Sequence, residues 1–205
     1  LPLSPHYGLE KYGFQHYIPH SACGRRLVTQ TPRRYRVVTT EEFFQEKIPW
    51  QFNAAVALVD ANVTQGRGDN VAIYYQDQAI TYRDVQRMTN KVGNTLSGLG
   101  IEMENRVAIL LPDCPQWVAS FFGAVKISAV PVPLNTMMHP EDYQYFLNDS
   151  RAKVIIVSDD LLPQIEAIEN DLRYLKHIVA VGEAGEHQLA YNELVGAASP
   201  ELEAA

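Results

Sequence analysis

The chain has 205 residues, 46% of them hydrophobic, which is enough for one large domain or two small ones with a real core and excludes wholesale disorder. Its formal net charge is −7. No apolar run approaches the roughly 20 residues that a membrane-spanning helix needs, and the first residues, LPLSPHYGLE, do not form a signal peptide. Cys23 and Cys114 show no metal-ligand spacing, so we predict unpaired thiols in a reducing, cytoplasmic environment.

Basic residues are concentrated in the first 40 positions. This segment holds six of the 17 Lys and Arg residues and a single acid, Glu10, so its formal charge is about +5 and that of the remainder about −12. Tyrosines lie among these basic residues, a pattern that could stack on nucleobases and hold phosphates. The segment is nevertheless short, aperiodic and interrupted by four prolines. We therefore predict a poorly ordered basic leader over residues 1–40, with nucleic acid binding as the less favoured interpretation.

Regular structure is predicted from Phe52 onward. Apolar residues recur at three- and four-residue spacing at Phe52, Val56, Val59 and Val63, which predicts a helix that ends near Gly66. The next segments, NVAIYY and QAIT, are typical of a hairpin with its turn at Asp77-Gln78.

A long helix follows the hairpin. Thr81 and Asp84 have capping-box spacing, an apolar stripe runs through the helix to Leu99, and Gly100 is predicted to end it.

The rest of the chain alternates between strands and helices. The predicted strands are RVAILLP, AVPVPL, AKVIIVS and HIVAV, and helices are predicted after Asp113 or Cys114, from Pro140, over LLPQIEAIEN and near YNELVGAA. RVAILLP is uniformly apolar, as in a parallel sheet covered on both faces, and the prolines of AVPVPL confine that strand to an edge. We predict an α/β fold of three layers, in which helices flank a mainly parallel sheet, with a small β-hairpin beside it.

The sequence contains few candidates for chemistry. Neither G-x-G-x-x-G, nor G-x-x-x-x-G-K-[ST], nor G-x-S-x-G occurs in it. Asp159 and Asp160 form the only adjacent pair of aspartates, and their position after a strand favours helix capping over metal binding. We therefore predict no catalytic, cofactor-binding or metal-binding residue in this chain.

Two motifs carry a family resemblance. The segment over about residues 46–198, and above all ITYRDV and KISAVPVPLNT, resembles the N-terminal subdomain of adenylate-forming acyl-CoA ligases, the AMP-dependent synthetase and ligase superfamily. The benzoate-CoA ligase branch is the most similar. Two departures stand out: Ile127-Ser128-Ala129 replaces the family's Ala-Gly-Ala, which is expected to alter close helix packing, and His139 replaces a capping Ser or Thr.

The resemblance implies an activity for a longer parent protein. Such ligases use ATP and Mg²⁺ to convert a carboxylic acid to an acyl-adenylate, and then transfer the acyl group to coenzyme A. Their phosphate loop, ribose-binding aspartate and C-terminal lysine have no counterpart in this sequence. The implied assignment is a leader over 1–40, an N-terminal α/β subdomain over 41–198 and a linker or fragment end over 199–205.

The resemblance therefore describes a part of an enzyme. We expect this chain to be the inactive N-terminal fragment of an aryl-acid CoA ligase, with the remainder of the ligase as its partner and with self-association through the surface left exposed. The parent would take a small carboxylic acid as substrate, and no membrane partner is expected. The alternative is a non-catalytic α/β binding or interaction module derived from the same subdomain, docking through its basic segment.

Overall fold

The computed structural model describes residues 51–205, and predictions about the basic segment 1–40 lie outside this range. The first helix, residues 54–67, combines α-helical turns with two π-helical turns, Val56–Asp60 and Val63–Arg67. The predicted apolar face is wrong in part, because Phe52 and Val56 are 54% and 40% exposed while Ala55 and Val59 are buried. The wider π-turns change the phase of the side chains, so three- and four-residue spacing does not keep them on one face.

The hairpin is formed by β1 (Val71–Tyr75) and β2 (Gln78–Thr81), which pair antiparallel with Tyr75 opposite Gln78. Its turn is therefore Gln76–Asp77, one residue earlier than predicted. Gln76 adopts a left-handed conformation with φ 51°, which gives the chain the sharp reversal that a two-residue connection needs.

The long helix α1 (Tyr82–Gly98) confirms the predicted capping box. Thr81 Oγ1 accepts a hydrogen bond from Asp84 N at 3.2 Å, and Asp84 Oδ2 accepts one from Thr81 N at 3.1 Å. Gly100 has φ +76° and ends the helix as predicted. Glycine has no Cβ atom, so it adopts this left-handed conformation with little steric cost.

Five parallel strands form the central sheet. They are β3 (Arg106–Leu110), β4 (Val130–Pro133), β5 (Val154–Ser158), β6 (His177–Val181) and β7 (Leu189–Ala190), in the spatial order β4-β3-β5-β6-β7. The four predicted strands thus share one sheet. The two-residue strand β7 was not predicted, because two residues are too short to show a periodicity.

Helices connect these strands and cover both faces of the sheet. They are α2 (Pro115–Lys126), α3 (Pro140–Ser150), α4 (Leu162–Glu166) and α5 (Tyr191–Ala197). The helix predicted over 161–170 is broken, since 3₁₀ turns at Asp159–Leu161 and Glu169–Asp171 flank the short α4. Within residues 51–205, no helix has both the length and the apolar character needed to cross a membrane.

Alternate residues of the central strands belong to different cores. On β3, Val107 and Ile109 pack in the cluster beside α1 and α2, whereas Ala108 and Leu110 pack in the cluster beside α3 and α4. All four side chains are fully buried. This double burial explains why the strand lacks polar alternation and confirms the three-layer prediction.

The proline-containing strand β4 lies at the edge of the sheet, as predicted. The amides of Val130 and Leu134 donate to carbonyl groups along the β3 segment at 2.8 and 2.9 Å. Pro131 and Pro133 occupy positions between these donors. Because alternate amides of an edge strand face away from its only neighbour, proline is tolerated there.

Ser128, at the position where the family resemblance implies a glycine, lies just after the end of α2. Ser128 follows the helix with φ 58°, a left-handed conformation. Its amide donates to the Val125 carbonyl at 3.0 Å, and Ala129 N donates to the Ala124 carbonyl at 2.9 Å. These two bonds form a Schellman motif, whose left-handed position is usually glycine. The serine therefore occupies a left-handed position at the helix end, and the expected change in close helix packing remains a prediction.

Candidate functional site at the carboxyl end of the sheet

The strand order points to one end of the sheet as the place for ligands. The chain leaves β3 for β4 on one side and then crosses to β5 on the other side, so the connections diverge at β3. In open parallel sheets, ligands bind beyond the carboxyl ends of strands at such a switch point. The segments to examine are therefore those that follow β3, β4 and β5.

The segment after β3 lacks the form of a phosphate-binding loop. It reads Leu111-Pro112-Asp113-Cys114 and contains no glycine that would let backbone amides close on phosphate oxygens. Cys114 is the N-cap of α2, in agreement with one of the two predicted caps, but its side chain makes no capping hydrogen bond. Pro115 at the start of α2 further removes one backbone donor.

The segment after β4 is held by a buried tyrosine. The Asn135 carbonyl accepts a hydrogen bond from Tyr143 Oη at 2.9 Å, and Asn135 Oδ1 accepts one from Met137 N at 2.9 Å. Burial raises the pKa of Tyr143, so the phenol remains a neutral donor near pH 7. This arrangement fixes the course of the chain into α3.

The segment after β5 contains the predicted aspartate pair. Asp159 Oδ1 accepts from Asp160 N at 3.0 Å, and Asp159 Oδ2 accepts from Glu183 N at 3.0 Å. The predicted helix capping is wrong, because the N-cap residues are Ser158 for the 3₁₀ turn and Leu161 for α4. Asp159 instead joins the end of β5 to the loop after β6. The part of the chain that the structure describes contains no group of three His, Cys, Asp or Glu residues able to hold a metal ion.

The α3 cap agrees in part with the sequence expectation. Asp142 Oδ2 accepts a hydrogen bond from His139 N at 3.2 Å, so the acidic residue in the first turn supports the helix start. His139 itself is the N-cap. The expected weakening of this cap by histidine remains a prediction.

The most elaborate polar cluster lies away from this end of the sheet and was missed by sequence reasoning. Lys126 is 2% exposed, and its Nζ lies 2.7 Å from Asp60 Oδ2 and 2.6 Å from Asn90 Oδ1. Gln86 Nε2 donates to Asp60 Oδ1 at 2.8 Å. Each of these groups has a partner, which is how proteins stabilise buried charge. The signal available in the sequence was a single lysine in an otherwise apolar helix.

A groove of about 1000 Å³ lies away from the switch point. Apolar residues such as Phe52, Val56 and Met103 line it together with polar ones such as Asn53 and Glu104. Met103 precedes β3, so the groove lies toward the amino end of that strand.

Comparison with known proteins gives the geometry a context. A family model described as "AMP-binding enzyme" matches residues 59–203. The 4-hydroxybenzoate--CoA/benzoate--CoA ligase of Rhodopseudomonas palustris is 41% identical over 133 residues, a match that covers 65% of this chain and 25% of that protein. The benzoate--CoA ligase of Thauera aromatica is 35% identical over 160 residues, a match that covers 78% of this chain and 30% of that protein.

Solved structures give a consistent result. The crystal structure of the anthranilate CoA ligase AuaEII in complex with anthranoyl-AMP has a TM-score of 0.74 and 40% sequence identity, covering 77% of this chain and 30% of that one. The chain spans 25–30% of the length of these relatives, and it corresponds to their N-terminal part. With residues 59–203 matched by the family model, the chain belongs to the AMP-binding enzyme family.

Proposed function

We propose that this chain is the N-terminal framework of an ATP-dependent aryl-acid CoA ligase, whose parent forms an acyl-adenylate and then an acyl-CoA. The observation that carries the proposal is the 40–41% identity to aryl-CoA ligases over a region whose fold is a five-stranded parallel sheet with both faces covered. The contribution of the chain is structural: it supports the end of the sheet beside which the remaining subdomains would be placed.

The described residues do not fit ATP or Mg²⁺ by themselves. Asn135 and Asp159, which follow β4 and β5, use their side-chain oxygens to fix the backbone, and the segment after β3 has no glycine. Mg²⁺ needs several oxygen ligands in octahedral geometry, which these positions do not supply. We therefore assign nucleotide, metal and coenzyme A binding to the parent beyond this chain, and we derive no chemical step from residues 51–205.

The apolar surface suggests where the remainder of the parent packs. Large apolar side chains stay exposed at several separate positions, including Phe52, Tyr74, Met103 and Met137. A following subdomain that covers part of this surface would remove it from water, with a gain of about 25 cal/mol for each Å² of apolar area buried. Without that cover, we expect the 205-residue chain to self-associate. The cytoplasmic location and the leader over 1–40 remain predictions.

The test of this function is thioester formation by the full-length parent. Its activity should be measured with benzoate, 4-hydroxybenzoate and 2-aminobenzoate, and with acetate and palmitate as alkyl controls. We expect kcat/KM for at least one aryl acid to exceed that for both alkyl acids by tenfold or more, since an aryl pocket holds a flat ring in a fixed orientation. A preference for an alkyl acid would contradict the aryl assignment, and no thioester from any acid would favour the interaction-module alternative.

A further inference from the structure

Residues 199–205, called here the strap, have no regular secondary structure but are held along α1 by side chains. Asn94 Nδ2 donates to the carbonyl oxygens of Ser199 and Glu201 at 2.9 and 2.8 Å. Asn90 Nδ2 donates to the carbonyl of Pro200 at 2.8 Å. Two asparagines one helical turn apart thus bind three successive carbonyl groups. The assignment of this segment as a linker or fragment end remains a prediction beside this anchoring.

An apolar contact fixes the register of the strap. Leu202 packs against the core cluster beside α1 and α2. A Cβ atom added at Gly93 would lie 2.4 Å from Leu202 Cδ2 and 3.2 Å from the Gly123 carbonyl oxygen. Glycine at position 93 therefore provides the space in which both the leucine and the neighbouring helix fit.

The Asn90 side chain also belongs to the buried polar cluster. Its Oδ1 accepts from Lys126 Nζ at 2.6 Å, while the same ammonium group forms an ion pair with Asp60 Oδ2 at 2.7 Å. Asp60 lies in the first π-helical turn of helix 54–67. One planar amide therefore joins the strap, through Pro200, to the ion pair that holds the first helix.

We infer that Asn90 couples the seating of the strap to the Asp60–Lys126 ion pair. The ammonium group of Lys126 is only a donor, so the Asn90 side chain must present its acceptor Oδ1 to the lysine and its donor Nδ2 to the Pro200 carbonyl. The opposite orientation of the amide would place its NH₂ group against the positively charged ammonium group. When the ion pair is broken, Lys126 Nζ loses one of the two side chains that hold it in place. The ammonium group then orients the Asn90 amide less firmly, and the contact of that amide with the strap weakens.

Coupling of this kind is reciprocal and can be measured in the native state. The amide of Ala205 donates to the Lys126 carbonyl at 3.0 Å and reports the strap, whereas the amide of Ala57 donates to the Asn53 carbonyl at 3.1 Å and reports the first helix. Hydrogen exchange at Val157, in the fully buried strand β5, reports global unfolding.

The experiment is a cycle between Asp60→Asn and Asn90→Asp in the 205-residue chain, followed by NMR hydrogen exchange. Asn90→Asp keeps an oxygen for Lys126 but loses the donor to Pro200. We expect Asp60→Asn to accelerate exchange at Ala205 by about fivefold or more in the wild-type background, and by less than about twofold in the Asn90→Asp background. Exchange at Val157 should change much less than at Ala205.

The converse variant is Asn94→Ala, which removes strap contacts without touching the ion pair. It should accelerate exchange at Ala205 and, because the coupling is reciprocal, also at Ala57, and the acceleration at Ala57 should be lost in the Asn90→Asp background. An equal effect of Asp60→Asn in both Asn90 backgrounds, no effect at Ala205, or an equal acceleration at Val157 would each overturn the inference. If Asp60→Asn does not fold, the pair Asp60→Leu with Lys126→Met removes both charges, and the same comparison with and without Asn90→Asp decides the question.

Discussion

Lys126 Nζ lies 2.7 Å from Asp60 Oδ2, in an ion pair whose side chains are only 3% and 15% exposed. The two residues are 66 positions apart, one in helix 54–67 and the other at the end of α2. Desolvation of both charges is costly, so the pair is stable only because Asn90 and Gln86 supply further hydrogen bonds. The contact fastens the first helix to the body of the fold.

The first prediction concerns the removal of one partner of this pair. Lys126→Ala leaves the Asp60 carboxylate largely buried without its cation and should lower the free energy of unfolding by about 3–5 kcal/mol. Urea denaturation followed by circular dichroism measures this change.

The exposed ion pair between Arg83 and Asp69 is the matched control. Its side chains are 49% and 88% exposed at a distance of 3.1 Å, so Arg83→Ala should lower the free energy of unfolding by less than about 1 kcal/mol. If Lys126→Ala and Arg83→Ala lowered the free energy of unfolding by similar amounts, the burial of Lys126 would have no energetic consequence.

The second prediction concerns Ser128, which adopts φ 58° at the position where the family resemblance implies a glycine. A left-handed conformation costs a residue with a Cβ atom about 1–2 kcal/mol, and glycine avoids this cost while losing more conformational entropy on folding. Ser128→Gly should therefore raise the free energy of unfolding by about 1 kcal/mol, less the weak contribution of the hydrogen bond from Ser128 Oγ to the Ala205 carbonyl. Gly100→Ala, at φ +76°, should have the opposite effect. A lower thermal midpoint for Ser128→Gly would contradict this account.

The third prediction is a pH dependence at the start of α1. The hydrogen bond from the Thr81 hydroxyl, together with the weaker effect of the one from its backbone amide, lowers the pKa of Asp84 below its ordinary value of 3.8. A carboxyl group whose pKa is lowered on folding stabilises the fold above its unfolded pKa, and this contribution is lost as the pH falls through the folded pKa. In Thr81→Ala, the pKa of Asp84 measured by NMR titration should rise toward 3.8.

The same substitution has an expected cost in stability. The free energy of unfolding of Thr81→Ala should be about 1 kcal/mol lower than that of the wild type at neutral pH, and the gap should narrow below pH 3.8. Thr64→Ala, at an exposed position in the first helix, is the control and should show a gap that does not depend on pH in this way. If the difference in free energy of unfolding between the wild type and Thr81→Ala did not change with pH, the charged Asp84 carboxylate would not be the reciprocal cap.

The fourth prediction concerns the exposed apolar side chains. Size-exclusion chromatography with light scattering should show concentration-dependent self-association of the 205-residue chain, because Phe52, Met103 and Met137 face solvent. The full-length parent should self-associate less if its following subdomains cover part of this surface. A strictly monomeric 205-residue chain at its highest attainable concentration would contradict the prediction.

The sheet was predictable because its strands carry strong local signals. RVAILLP shows the uniform apolar pattern of a strand buried on both faces, and the prolines of AVPVPL restrict that strand to the edge where the structure places it. The Thr81–Asp84 box and Gly100 likewise act through neighbouring backbone groups. Short-range chemistry of this kind is visible in a sequence before any tertiary contact is known.

Long-range relationships were not predictable in the same way. The pairing of Lys126 with Asp60 and the anchoring of Pro200 by Asn90 depend on how helices meet, for which the sequence has no periodic signal. Val56 is exposed in a π-helical turn, which three- and four-residue spacing cannot reveal, and Phe52 is exposed because it lies before the helix. At the carboxyl end of the sheet, Cys114 is one of the two predicted N-caps, although its side chain makes no capping hydrogen bond. Asp159 was predicted as a helix cap, and its contact with Glu183 N across the sheet could not be read from the sequence.

The central claim is that this chain supplies framework and that acyl-adenylate chemistry resides in the rest of the parent. Acid-dependent ATP–pyrophosphate exchange tests it most directly, with benzoate and the acid panel, on the 205-residue chain and on the full-length parent in parallel. In-line attack at a phosphate requires positioned donors and charge, which we assign to the rest of the parent. We predict exchange by the full-length parent and none above background by the 205-residue chain. Acid-dependent exchange by the 205-residue chain alone would contradict the account, because a phosphate-handling site would then exist among its own residues.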